Sequence, residues 1–263
     1  MGRECIPVLP VGTTEQHGPH LPLKIDRWVA TSIVEEAAKR SKGLLLAMPS
    51  VAYGYTSHVM DFPGTITIHH ETFMRYIVDI GLSLAYHGFK KMIVINGHGS
   101  NMQPLELATR RIMLESDAWV GMALWCNLTQ TRSSFMESWR ESPFPGGCAH
   151  AGEMETSIAL HLDPTAVRMN LAVDRVTDTN AQESKYHWVD AFGSGPIKMD
   201  GHTSTYSADG TQGTPSLGTT HKGKTLFEET VTNLVTFGDE FSNRRFKPRT
   251  DHHDRLPGIH RPG

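Results

Sequence analysis

The sequence predicts an α/β protein with a mainly parallel sheet covered by helices on both faces. Short apolar runs bounded by glycine or proline alternate along the chain with stretches of helical periodicity, the pattern that builds parallel sheets. The apolar runs are continuous rather than alternating with polar residues, as expected of strands buried on both sides. Hydrophobic residues make up 38% of the 263 residues, and mean hydropathy is −0.33, which supplies a substantial core without a membrane-protein composition.

Cys5 to Val11 (CIPVLPV) is short, apolar and followed by Gly12, and is expected as the first strand. Arg27 to Arg40 follows as a helix with Val29, Ile33, Val34 and Ala37 on one face, and Asp26 stands where a helix cap is expected. Leu44 to Met48 is a second strand, stopped by Pro49. Glu71 to Tyr86 has helical spacing in Phe73, Ile77, Ile80 and Leu84, with Gly88 just beyond as a stop signal. Lys91 to Ile95 (KMIVI) is a third strand, leading through NGHGSN into a helix from Pro104 to about Leu114. Trp119 to Trp125 is the fourth strand, and Glu153 to Leu162 a helix ended by Asp163-Pro164. From Asp174 to Thr220 the composition shifts to Gly, Ser, Thr and Asp, predicting a loop-rich excursion over one face rather than a second domain. A helix from about Lys224 to Phe241 closes the fold. Residues 1–245 are expected as a single domain and 246–263 as a polar tail holding His252, His253 and His260.

Composition excludes several function classes. A formal charge of −3 and a pI near 6.6 give no electrostatic reason for a nucleic-acid or anionic-membrane partner. No apolar run approaches the roughly 18 residues of a membrane span, and the N-terminus lacks the pattern of a secretory signal. Cys5, Cys126 and Cys148 are far apart, an odd and sparse set that fits a reducing cytoplasm better than a disulfide framework. Histidine is unusually frequent, with 15 residues.

Three segments carry metal-ligand chemistry at predicted strand ends, where open parallel sheets bind their ligands. The first, GTTEQHGPH, puts Glu15 and His17 two residues apart, so in extended backbone both point to one side, with Asp26 eleven residues beyond Glu15. Two carboxylates and an imidazole suit Zn²⁺, Mn²⁺ or Fe²⁺. Each residue alone reads as a surface, turn or capping residue, and it is their clustering that points to a metal. The second, NGHGSN, flanks His98 with glycines that let the backbone turn sharply. A serine nucleophile elbow centred on Ser100 fails, because His98 and Met102 occupy its glycine positions. A dinucleotide fingerprint fails at Met102 as well. The third, HAGEMETS, runs from His150 into a helix and lacks the His-Glu-x-x-His spacing of thermolysin-type zinc sites. Glu153 and Glu155 would diverge by about 200° on a regular helix.

Together with FPGT at Phe62 to Thr65, these segments resemble the creatininase (creatinine amidohydrolase) family in order and spacing, from about Leu9 to Leu160. GTPSLGTTHKG, from Gly213 to Gly223, is similar to the family's C-terminal glycine-rich stretch. The resemblance implies a three-layer α/β/α sandwich, assembly into hexamers, and two divalent ions at the strand ends, zinc first with manganese or iron as alternatives. By position, Glu15 and His98 would bind one ion, His17 the other, and Asp26 would bridge them. His150 matches the catalytic histidine, Glu155 a catalytic-site glutamate, and Trp125 a tryptophan lining the pocket. The chain departs from creatininase proper at Ser100, where a glutamate ligand is expected, and Glu153 is expected to complete that shell. Ser100, His58 and Trp125 are candidate substrate contacts, and residues 174–220 with Phe144 are expected to set substrate choice.

The activity implied is hydrolysis of a non-peptide amide in a small cyclic amide, lactam or imide, by water that the two ions activate. His150 would protonate the leaving nitrogen, with Glu155 orienting it. The alternatives are a formamide deformylase or a cofactor-maturation peptidase on the same metals. From another class comes a non-catalytic metabolite-binding protein on the same fold.

Overall fold

Side chains along the central strands divide between two cores with the period of two that a pleated strand imposes. Ile6 and Val8 face one apolar cluster, while Leu9 and Val11 face another; Ile93 and Ile95 divide from Met92 and Val94 in the same way. A sheet buried on both faces follows, as the continuous apolar runs predict. These positions are described by a computed structural model covering residues 5–131, 134–176, 184–248, 250 and 252.

Strand β1 (Ile6–Val11) leads into helix α1 (Ile25–Arg40), β2 (Leu45–Ala47), α2 (His70–Tyr86), β3 (Lys91–Asn96), α3 (Met102–Glu115) and β4 (Trp119–Leu124). The four strands form a parallel sheet in the order β2-β1-β3-β4. A short helix α4 (Phe135–Trp139) and strand β5 (Cys148–His150) precede α5 (Glu153–Leu162). The excursion then contributes β6 (Val189–Asp190), β7 (Gly193–Ser194) and β8 (Gln212–Gly213), and α6 (Thr220–Asn243) is the last element among the described residues. Val29 and Ile33 of α1, Ile158 of α5 and Val231 of α6 pack in the first core. Phe73 of α2 and Leu105 of α3 pack in the second. The result is the three-layer α/β/α sandwich with a mainly parallel sheet.

Helices and strands fall within a few residues of their predicted places, with instructive exceptions. Helix α3 begins before Pro104, which is tolerated in a first turn because the amide it lacks would have no partner there. Asp26 caps nothing: it lies inside the first turn of α1, whose cap position is Lys24. Its carboxylate turns instead towards Thr13 and the histidines described below. Strand β5, too short to carry a periodicity, pairs antiparallel with β8 from the far end of the excursion. The excursion is otherwise loop-rich over its described residues, as expected. Phe246 stacks on Trp119 with ring centroids 3.8 Å apart, so packing extends past residue 245. His252 is exposed, and His253 and His260 lie outside the described residues. All three cysteines are free, and no helix among the described residues is long and apolar enough to cross a membrane.

Sheet register positions the site. Val11 pairs with Asn96, so β1 and β3 end at one level, and the loops that leave them carry Glu15, His17 and His98 along the same edge. Two glycines let α1 approach that edge. A Cβ on Gly12 would fall 2.3 Å from the Arg27 nitrogen, and one on Gly97 would fall 2.0 Å from the Asp26 carbonyl oxygen. The first turn of α1 therefore rests against the ends of both strands, delivering Asp26 between them.

Candidate metal centre

Glu15, His17, Asp26 and His98 are all buried, between 0% and 6% exposed. His98 Nδ1 lies 3.1 Å from Asp26 Oδ2 and 3.3 Å from Glu15 Oε2. His17 Nε2 lies 3.0 Å from Asp26 Oδ1 and 3.8 Å from Glu155 Oε1. His150 joins from β5, its Nδ1 3.8 Å from Glu15 Oε1 and its ring 4.3 Å from that of His17. Three sets of donor atoms each fall within 4.8 Å: Glu15, Asp26 and His98; His17, Asp26 and Glu155; Glu15, His17 and His150. The first two sets share Asp26, which gives the cluster two centres and one residue between them.

Neighbouring groups fix these donors. His17 Nδ1 donates to the Glu15 carbonyl at 3.2 Å, leaving Nε2 for the centre. His150 Nε2 donates to the Gln16 carbonyl at 2.9 Å, which turns Nδ1 inward. Hydroxyls of Thr13 and Thr56 donate to Asp26 and Glu15. The Asn96 side chain accepts the His98 amide at 3.1 Å and holds the turn after β3. Orienting bonds of this kind fix the tautomer and direction of metal-ligating imidazoles and carboxylates.

The donor set fits divalent metal ions. Glu15 Oε1 and His17 Nε2, both at the cluster, are buried without a hydrogen-bond partner. His17 Nε2 is near Asp26 yet lacks the direction of a hydrogen bond to it. Each such atom costs about 1–3 kcal/mol if left unsatisfied, so a pair of them beside buried carboxylates is reasonable only if a cation completes it. Carboxylate and imidazole donors suit zinc, manganese or iron.

Without a metal, protons supply the missing positive charge. Burial opposes charge on His98, but Glu15 and Asp26 outweigh it and push the imidazole up to about 10. Burial likewise opposes charge on His17, and Asp26 and Glu155 raise it well above its usual value. Asp26 is held well below the carboxylate range: burial would raise it, and His17 and His98 overcome that. A metal must displace these protons. Titrating Zn²⁺ into chelator-stripped protein at pH 7 should release on the order of two protons per chain. Affinity should rise with pH until the histidines are neutral, towards about pH 10 for His98. Calorimetry in two buffers of different ionisation enthalpy measures the release; identical heats in both would contradict it.

Glu153 and Glu155 part company. Glu155 turns to the centre, one oxygen facing His17 and the other accepting the Ala151 amide. Ala151 takes a left-handed φ of 52° to present that amide, a strained conformation for a side chain with a Cβ and one that tends to occur at functional sites. Glu153, expected as a metal ligand, is not brought to the cluster. It opens α5 on the side away from the centre, where its carboxylate takes Lys222 Nζ at 2.6 Å and the Ser142 amide at 2.9 Å. The divergence of residues two apart on a regular helix is the reason.

The candidate substrate contacts fare differently. His58 lies over His98, rings roughly parallel with centroids 5.9 Å apart. Burial, with His98 adding to it, holds its pKa at about 4, so it is neutral at pH 7. Ser100 is half-buried in the turn Gly99–Asn101. Trp125 packs into the core at 2% exposure, which leaves little of its surface for a substrate. Phe144 is 49% exposed and meets Trp188 edge-on. Gln16 and Thr56 were not foreseen as site residues. Gln16 lies within the first motif, but its supporting role depends on β5 arriving from residue 150. Nothing local marks Thr56.

The family model described as creatinine amidohydrolase (Creatininase) matches residues 2–237. A mycofactocin precursor peptide peptidase from Mycobacterium ulcerans (strain Agy99) is 31% identical over 237 residues, covering 87% of this chain and 82% of the relative. A creatinine amidohydrolase from Pseudomonas putida is 29% identical over 183 residues, covering 65% of this chain and 69% of the relative. Among solved structures, a mutant creatininase of Zn-Zn type superimposes with a TM-score of 0.73 at 25% identity, covering 92% of each chain.

Proposed function

Because the chain belongs to the creatininase family of metal-dependent amidohydrolases, we propose that it hydrolyses the C–N bond of an amide at a two-metal centre bridged by Asp26. The reading is carried by one observation: two donor sets, Glu15 with His98 and His17 with Glu155, share Asp26. Glu155, in place of the carboxylate missing at Ser100, completes the second set. Two divalent ions, zinc first, would there polarise the amide carbonyl and activate water at neutral pH.

The chain's own groups do the rest. His150 is held below its usual pKa by burial, and by His17 beside it, so it is neutral at pH 7. Its Nε2 proton is committed to the Gln16 carbonyl, and Nδ1 faces the centre with a free electron pair. Nδ1 takes the proton of the attacking water and returns it to the leaving nitrogen, so one imidazole serves as base and then acid. His58, neutral beside His98, would hydrogen-bond the substrate without repelling the cations.

A small cyclic amide, lactam or imide is the first substrate class for this site. A short peptide is the second reading, favoured by 31% identity across 82% of a peptide peptidase. Elemental analysis of the untagged protein, followed by assays on cyclic amides, formamides and short peptides, tests both parts. Two equivalents of metal with turnover of one class is the expected result. Protein that takes up no metal after incubation with Zn²⁺ or Mn²⁺ would overturn the proposal.

A further inference from the structure

Resting on the two-metal reading, we infer that Glu153 and Lys222 form a positioning pair that sets the Glu155 carboxylate and thereby the affinity of the second metal site. Two sequence features left without a role meet here: the glutamate two residues before Glu155, and the Thr-His-Lys-Gly end of the C-terminal glycine-rich stretch.

Glu153 is fully buried. Its carboxylate receives Lys222 Nζ at 2.6 Å, the Glu141 amide at 3.1 Å and the Ser142 amide at 2.9 Å. Lys222 Nζ also donates to the Leu217 carbonyl at 3.0 Å and pairs with Glu141 at 2.7 Å. A charge this deeply buried persists because it is paired and hydrogen-bonded throughout. The pair tethers the first turn of α5 to the start of α6 and to the loop after α4.

The helices are also built to touch at this end. A Cβ on Gly223 would fall 1.9 Å from the Ser157 carbonyl oxygen, and one on Gly218 would fall 2.7 Å from Thr156 Cγ2. The Thr219 amide donates to Ser157 Oγ at 3.2 Å, while the Thr219 hydroxyl caps α6. Helix α5 is thus seated on α6, and the ion pair fixes its rotation about its own axis. Residues two apart on a helix point about 200° apart. Pinning Glu153 outward therefore holds Glu155 inward, at the distance from His17 and Asp26 that the second donor set requires. Glu153 and Lys222 act through Glu155; they are positioning residues.

The test is Zn²⁺ titration of chelator-stripped wild type, Lys222→Met, Lys222→Arg and Glu153→Gln, with thermal melting in parallel. In Lys222→Met the first ion should bind as in wild type and the second about 10- to 100-fold more weakly, the usual scale for loss of a group that orients a ligand. Lys222→Arg, which restores the cation, should recover most of the loss. Glu153→Gln, which keeps acceptors for the two amides, should behave as Lys222→Met does. Lowered melting temperature with both ions still bound at wild-type affinity in Lys222→Met and Glu153→Gln would overturn the inference and leave the pair a structural tether. Wild type that fails to bind two ions would instead fault the two-metal reading itself.

Discussion

Asp26→Asn should release both metal ions and lower kcat/KM by at least about a thousandfold, the scale of losing a preorganised charge in an active site. Asparagine keeps the shape and an acceptor for Thr13, so the change is confined to charge and to the donor shared by both sets. In the metal-free chain the same carboxylate offsets His17 and His98. The variant's histidines should accordingly titrate lower than those of stripped wild type, which NMR of the imidazole protons would follow. Elemental analysis is the decisive measurement. An Asp26→Asn protein still holding two equivalents would show that the residue does not bridge, and the overlap of the donor sets would lose its meaning.

His150→Ala should lower kcat by about 10²- to 10⁴-fold, the usual contribution of a positioned proton-transfer group. Both metals should remain. The geometry leaves a clear alternative, since His150 also completes a donor set with Glu15 and His17. Loss of a metal ion along with activity would make it a ligand instead of the proton carrier. Retained metal with lost turnover, and a substrate KM little changed, would fix it as the latter. Because its Nε2 proton is held by a backbone carbonyl, no side-chain variant at Gln16 removes that bond. The tautomer should survive Gln16→Leu even where the packing of the Gly210 segment does not.

Part of this centre was legible without coordinates. Glu15, His17 and His98 sit in glycine-bearing turns just after apolar runs, and carboxylates and imidazoles there mark candidate metal ligands wherever a parallel sheet places its strand ends together. Asp26 was legible as a candidate but carried a second, blander reading as a helix cap. The structure removes that reading by turning the carboxylate away from its own helix. Between Glu153 and Glu155 the sequence offered only the rule that residues two apart diverge. The expectation of Glu153 as the ligand fails, and Glu155 faces the donor cluster instead, because Glu153 finds its partner in Lys222 of α6, some 70 residues further along. Trp125 shows the converse: the family resemblance implies a pocket wall there, yet its side chain is buried in the core.

The sequence by itself determined the parallel α/β class, the chain order of the four sheet strands and the five longer helices, the family, and the residue types able to bind metal. Each depends on local periodicity or on short motifs whose chemistry is carried within a few residues. Only the tertiary structure decided which carboxylate completes the second donor set, which nitrogen of His150 faces the centre, and how the excursion returns to pair with β5. Those are settled by contacts between segments from about 60 to 135 residues apart along the chain. Such contacts depend on how whole elements pack, and no local stretch of sequence encodes that.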